Sequence, residues 1–382
     1  MLDTSSTQCG QRGERCKACL LSEMCTLGVC SSSSLGGVGG GSSLGGGSAG
    51  GFIGGGSAGG FAGGSSAGGF TGGGSASRDG GNSGAGTWRE RTPSTSPPQR
   101  RYGNMAFDSS RNRVVLFGGS GSDFLGDMWE WNGASWLQRT APISPPNMSR
   151  GPMAFDSSRN RIVLLGGTIS ISNTFNLGET WEWDGTSWFL RTPTTSPPAR
   201  WGAVSAFDSS RNRTVLFGGQ NYTGYLGDTW EWDGTNWIER TPTTSPLARA
   251  YSTMAFDASR NRVVLSGGAN ATTAMGDTWE WDGTNWLLHT PRTSPSARFG
   301  GTMAFDSSRN RVVLFGGSDP TAIGNLNDTW EWDGNSWLQL TTTTSPPARR
   351  YSTMVFDSGR NRLLLFGGLG VAPLGDTWEF GP

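Results

Sequence analysis

The chain has 382 residues, 62 of them Gly and 18 Trp, and its thirty cationic and thirty acidic side chains cancel. That balance gives no general attraction to nucleic acid or to an anionic membrane surface. No stretch approaches the roughly eighteen apolar residues of a spanning helix.

Residues 1–30 open with MLDTSSTQC, which has no basic n-region and no apolar h-region, so no signal peptide is visible in the sequence as given. This segment holds all five cysteines, Cys9, Cys16, Cys19, Cys25 and Cys30, with too few apolar residues for a core. Such density is read as a disulfide module and an oxidising compartment, extracellular or at the cell surface. Five is odd, so one thiol is free or a partner lies upstream. Zinc is the competing reading of Cys16-x-x-Cys19, but the gap to Cys25 is short and no His is near, so no metal is assigned. Residues 31–86 are almost wholly Gly, Ser and Ala, with Phe52, Phe61 and Phe70 nine apart. Glycine-rich nonapeptides that bind calcium need an Asp in each unit, and the first acid here is Asp79. A disordered, flexible tether of roughly 40 Å span is expected.

From Thr87 onward the chain repeats. Glycine doublets at Gly118/Gly119, Gly166/Gly167, Gly218/Gly219, Gly267/Gly268, Gly316/Gly317 and Gly367/Gly368 mark six copies of about 50 residues. Each copy reads as four short antiparallel strands, a to d. In the copy at Tyr251 these are YSTMAFD, a polar DASRN turn, the apolar run VVLSGG, then DTWEWD, and an Asp-Gly turn into a strand at Trp286. Four antiparallel strands per repeat make a propeller blade. The sixth copy stops at Trp378-Glu-Phe-Gly-Pro382, before any fourth strand, while Thr87-Trp-Arg-Glu-Arg-Thr-Pro93 matches a fourth strand that has no copy of its own. The expected fold is therefore all-β, a six-bladed β-propeller over 87–382 whose ring is closed by 87–91, leaving no open seam.

The doublet and the paired tryptophans seven apart (Trp181 and Trp188, Trp230 and Trp237, Trp330 and Trp337) resemble the kelch motif, six times over. Trp-Glu-Trp-Asp stands where kelch repeats often carry a Tyr, which keeps an aromatic wedge between blades. The resemblance implies a partner-binding face built from the b–c and d–a loops. In this chain the a–b turns (DSSRN) and c–d turns (DGTN) are nearly identical from copy to copy, whereas the b–c loops, such as SGSDFLGD and QNYTGYLGD, are not.

Seven residues before the Phe of each first strand stand Arg100, Met148, Arg200, Arg249, Arg298 and Arg349. In the second copy, Arg150 lies two places on and is read as the substitute. Beside these positions are Arg101, Trp201, Phe299 and Arg350, with Tyr102, Tyr251 and Tyr351 two places past the arginine. All thirteen of these Arg, Tyr, Trp and Phe residues are candidate ligand-binding residues at an arginine-rich, aromatic mouth. An acid precedes each third strand: Asp127, Glu179, Asp228, Asp277, Asp328 and Asp376. Arginine–carboxylate pairs that staple loops to blades would account for both sets equally.

No catalytic residues and no cofactor are assigned. A kelch-related copper oxidase needs two His, and this chain has only His289, expected on an outer strand at the surface. A serine triad lacks its base. A sialidase-like glycosidase would use an arginine cluster and a Tyr nucleophile, both present, but its Ser-x-Asp-x-Gly-x-x-Trp box is absent. The expectation is a monomeric, non-enzymatic binding module for a protein or carbohydrate, set against a sialidase-like hydrolase and a passive spacer.

Overall fold

The computed structural model describes residues 86–169, 176–321 and 324–381, with the backbone of two short strands, Met24–Thr26 and Val29–Ser31. The chain divides into two units, Met1–Ser77 and Arg78–Pro382. In the first, the short strands pair antiparallel with Cys25 opposite Cys30. Cys9, Cys16, Cys19 and the expected disordered tether lie outside the described residues.

The second unit consists of six four-stranded antiparallel sheets, and in each the strands lie in the order a-b-c-d. Blade 3 shows the pattern with Val204–Asp208, Arg213–Asn221, Gly224–Trp232 and Trp237–Arg240. The sixth sheet takes Thr353–Asp357, Arg362–Leu369 and Pro373–Gly381 from the C-terminal end and Thr87–Arg91 from the N-terminal end. Trp88 lies opposite Phe380, and Arg91 opposite Thr377. The ring is closed as the repeat count requires. Among the described residues no helix is long and apolar enough to cross a membrane.

Strand b is apolar without alternation because both of its faces are seams between blades. In blade 3, Val215 and Phe217 pack against Met254, Val263 and Leu265 of blade 4. Leu216, on the other face, packs against Val163 and Leu165 of blade 2. The Trp that opens each strand d is also a seam residue. Trp136, Trp237, Trp286, Trp337 and Trp88 each donate Nε1–H to the Oγ1 of a Thr in the preceding blade, at 2.9 to 3.0 Å. Blade 1 carries Met128 where that Thr would stand, and Trp188 Nε1 has no partner.

The glycine doublet is also explained by a seam. Gly218 has φ 64°, and a Cβ there would sit 2.7 Å from the Arg249 carbonyl oxygen of the next blade. Gly219 N–H donates to that same oxygen at 2.9 Å. Only glycine fits so close an approach.

Candidate functional site

Five of the six positions at the end of the d–a loops hold an arginine inside the wall. Arg200 is fully buried and forks onto Asp228 with both Nη atoms at 2.7 Å, while its Nε donates to the Pro198 carbonyl and Nη1 to the Gly218 carbonyl. Arg100, Arg249, Arg298 and Arg349 repeat the arrangement with Asp127, Asp277, Asp328 and Asp376. Each of these carboxylates also accepts the indole N–H of the first Trp of its own strand c. Burial pushes Asp127, Asp228, Asp277 and Asp376 up, but the arginine bonds and charge outweigh it and hold them below the ordinary carboxylate range. Contrary to the expectation from sequence, Arg100, Arg200, Arg249, Arg298 and Arg349 do not reach the mouth: they are buried and paired in the wall. Blade 2 has buried Met148 in the arginine slot, and Glu179, left without that arginine, accepts the Trp181 indole.

Two residues further on, the chain reaches the axis. Tyr102, Arg150, Gly202, Tyr251, Gly300 and Tyr351 all have φ between 57° and 67°. Each donates its backbone N–H to the carbonyl of its counterpart in the preceding blade, in a closed circuit of six bonds of 2.6 to 3.4 Å. Arg150 is therefore no stand-in for the wall arginine; it is a member of this axial ring. The three tyrosines cluster there, with Tyr102 4.2 Å from Tyr351 and 6.0 Å from Tyr251, centroid to centroid, and Tyr251 5.3 Å from Tyr351. The glycines make room: a Cβ on Gly202 or Gly300 would press on the ring of Tyr251 or Tyr351. The tyrosines plug the channel at this end.

Around the plug lie the side chains that the loops vary. The Arg150 guanidinium stacks over Tyr102 at 4.5 Å and that of Arg101 at 5.5 Å. Arg350 lies over both Phe299 and Tyr351, at 5.9 and 5.4 Å. Neither Arg101 nor Arg350 makes an ion pair among the described residues. Cations come from blades 6, 1 and 2; Trp201, Tyr251 and Phe299 come from blades 3 to 5. Trp201 is only 4% exposed, so of the aromatic candidates it belongs to the wall. Burial pushes the Tyr251 phenol up to about 12, against the pull of Arg150, and pushes Tyr351 up as well, helped by Tyr102. No carboxylate lines the space beneath them.

The opposite end is nearly uniform in sequence, and in blades 2 to 4 its turns do more than reverse the chain. Arg159 bonds Asp156 and Glu182 of its own blade, and Glu182 in turn accepts the Trp232 indole of the next blade. Arg211 and Arg260 make the same staple with Glu231 and Glu280. Each of these arginines lies where a side chain on the next blade's Asp-Gly turn would be, at Gly234, Gly283 and Gly334. The identity of DSSRN and DG in the sequence was the available signal for this staple, but its inter-blade partner lies about 50 residues away. His289 lies on an outer strand as expected, partly exposed, and is also part of the same network. Its Nε2 is 3.1 Å from Glu280 Oε2, in the position that Arg240 takes against Glu231, and it packs edge-on to Trp332.

No family model and no curated protein matches the chain. Among solved structures, that of YjhT aligns with a TM-score of 0.58 at 14% identity, over 75% of this chain and 96% of the other. The likeness is one of fold. It places this chain among six-bladed propellers and says nothing of its ligand.

Proposed function

We propose that the chain is a non-enzymatic binding module of the kelch type, secreted or displayed at a surface, which recognises an anionic protein or carbohydrate group at the rim formed by Arg101, Arg150, Arg350, Phe299 and the tyrosine plug. The observation that carries this reading is the choice of residue on the axial ring. Left-handed backbone costs a non-glycine residue about 1–2 kcal/mol, least for Asn. At the six a–b turns, which need the same backbone, the chain uses Asn every time: Asn112, Asn160, Asn212, Asn261, Asn310 and Asn361. At the axis it uses Gly twice and Tyr or Arg four times, on the face whose loops differ. Strain retained where a cheaper residue serves in the same ring is a mark of function.

A hydrolytic reading is less well supported. A tyrosine nucleophile is activated by an adjacent base or by a lowered pKa, whereas no carboxylate lines the space beneath the tyrosines and Tyr251 and Tyr351 are raised. The test is a glycan and protein array probed with the full chain and with the Arg101→Ala/Arg350→Ala variant. Binding to anionic members that the variant loses supports the reading. Turnover of a glycan substrate, or a ligand that maps to the DGTN turns, overturns it.

A further inference from the structure

The tyrosines crowd together at one end of the channel, and at the other end a well opens among the a–b turns. Strand a is the inner edge of every sheet, so the six first strands form the wall. The outer part of the well is a cavity of about 360 Å³. Phe107, Phe155, Phe207, Phe256, Phe305 and Phe356 all line it, and none of them is fully buried. Exposed serines of the turns form its lip, and no Asp, Glu, Lys, Arg or His side chain lines it. Six partly exposed phenylalanines, most of them packed against the seams, ring the mouth of one open depression and give it apolar surface of the sort that marks a ligand site. A charged ligand would find no opposite charge there to offset lost hydration.

The ring below the phenylalanines breaks the symmetry. Five blades place a methionine there, Met105, Met153, Met254, Met303 and Met354, and blade 3 places Ser205. Ser205 Oγ is tucked into the wall with no hydrogen-bond partner. A hydroxyl without a partner has both a donor and an acceptor to offer, and serine reaches other directions by rotating one bond. Each of the five methionines packs in a seam between blades, and the shorter Ser205 stands at that position in the seam of blades 2 and 3. One polar group in an otherwise apolar ring is a means of orienting a guest.

We propose that this well binds a small uncharged molecule with an apolar, flat or slender body and a single hydrogen-bonding group, the body against the phenylalanine ring and the polar group at Ser205. The site is independent of the rim and lies beyond the tyrosine plug from it.

The probes are 2-naphthol and naphthalene, titrated by fluorescence against the full chain. Saturable one-to-one binding is expected, with 2-naphthol favoured about three- to tenfold, the ratio that one neutral hydrogen bond supplies. Ser205→Ala should abolish that preference and keep naphthalene binding. Ser205→Met, the residue of the five other blades and hence compatible with the fold, should weaken both probes at least tenfold while the melting temperature holds or rises. Arg101→Ala/Arg350→Ala should change neither affinity, so failure of the rim reading and failure of this one are separable. Absence of saturable binding, an undiminished preference in Ser205→Ala, or unchanged affinity in Ser205→Met would overturn the proposal. Ser205→Ala keeps the test decisive should Ser205→Met fail to fold.

Discussion

Arg349 and Arg350 are chain neighbours, and they belong to different parts of the molecule. Arg349 is sealed in the wall, with Asp376 and two carbonyls using its donors. Arg350 lies on the rim over two aromatic rings, with a single 3.4 Å side-chain hydrogen bond, to Ser318, among the described residues. Arg100 and Arg101 repeat the contrast one blade on. The seams between blades are built from residues that recur in nearly every copy, because the same contact must be made six times; the rim is built from residues that differ, because no seam constrains them. The comparison teaches that residue type alone does not separate a structural cation from an available one: the partner set does.

The largest effect should come from opening a seam outright. Removing residues 1–86 should leave the propeller folded, whereas removing 1–93 takes away Trp88, its bond to Thr329 and the partner of the last strand. The expected loss exceeds the about 3–5 kcal/mol of a buried Trp→Ala change alone, because a bare sheet edge is added. Equal melting temperatures for the two truncations would refute the closure. Next in size is Arg200→Ala, which leaves Asp228 without its cation. Breaking a buried pair costs about 3–5 kcal/mol, and since Asp228 is 21% exposed the lower end is expected in urea unfolding.

Acid should attack the same pairs. The folded pKa of Asp127, Asp228, Asp277 and Asp376 lies below the ordinary 3.8. A depressed folded pKa contributes stability that is present above the unfolded value and is lost as pH falls through the folded one. Urea midpoints should therefore hold down to about pH 5 and fall below pH 4, with a shallower fall in Arg200→Ala, which has one pair fewer. A smaller effect is expected from Thr229→Val, which strands the Trp286 indole N–H in the seam and should cost about 1–3 kcal/mol. The Trp188 seam, which already lacks its acceptor, shows that one such defect is tolerated.

The smallest effect on stability, and the one that sharpens the contrast most, belongs to the rim. Arg101→Ala and Arg350→Ala should each shift stability by no more than about 0.5 kcal/mol. Each should weaken an anionic ligand by about 1.5–3 kcal/mol per charged hydrogen bond lost, read by calorimetry with a ligand taken from the array. A rim variant that unfolds the protein would erase the distinction between the two sets.

Most of the fold was legible because each of its signals is local and repeated six times. The doublet, the DSSRN turn and the Trp-Glu-Trp strand fixed strand order, and the missing fourth strand at Phe380 fixed closure. The arginine set and the acid set were visible, and so was the possibility that they pair. Whether Arg200 faces Asp228 or the lumen depends on a side-chain direction about 28 residues across a loop, which periodicity does not encode. Arg150 was misread because counting two places along a strand assumes extended backbone, and the axial residues are left-handed. The plug and the well were illegible for the same reason: both arise only when six copies converge on one axis. Ser205 could have been noticed as the one departure from Met in MAFD-type strands.

The circuit of axial hydrogen bonds acts as a hoop drawn tight around staves. Each bond joins two blades at their innermost point, so widening the ring there stretches all six together. The inner edge at the other end has no such backbone circuit among the described residues. At that other end the blades are joined by side-chain staples such as Arg211–Glu231–Trp281 instead.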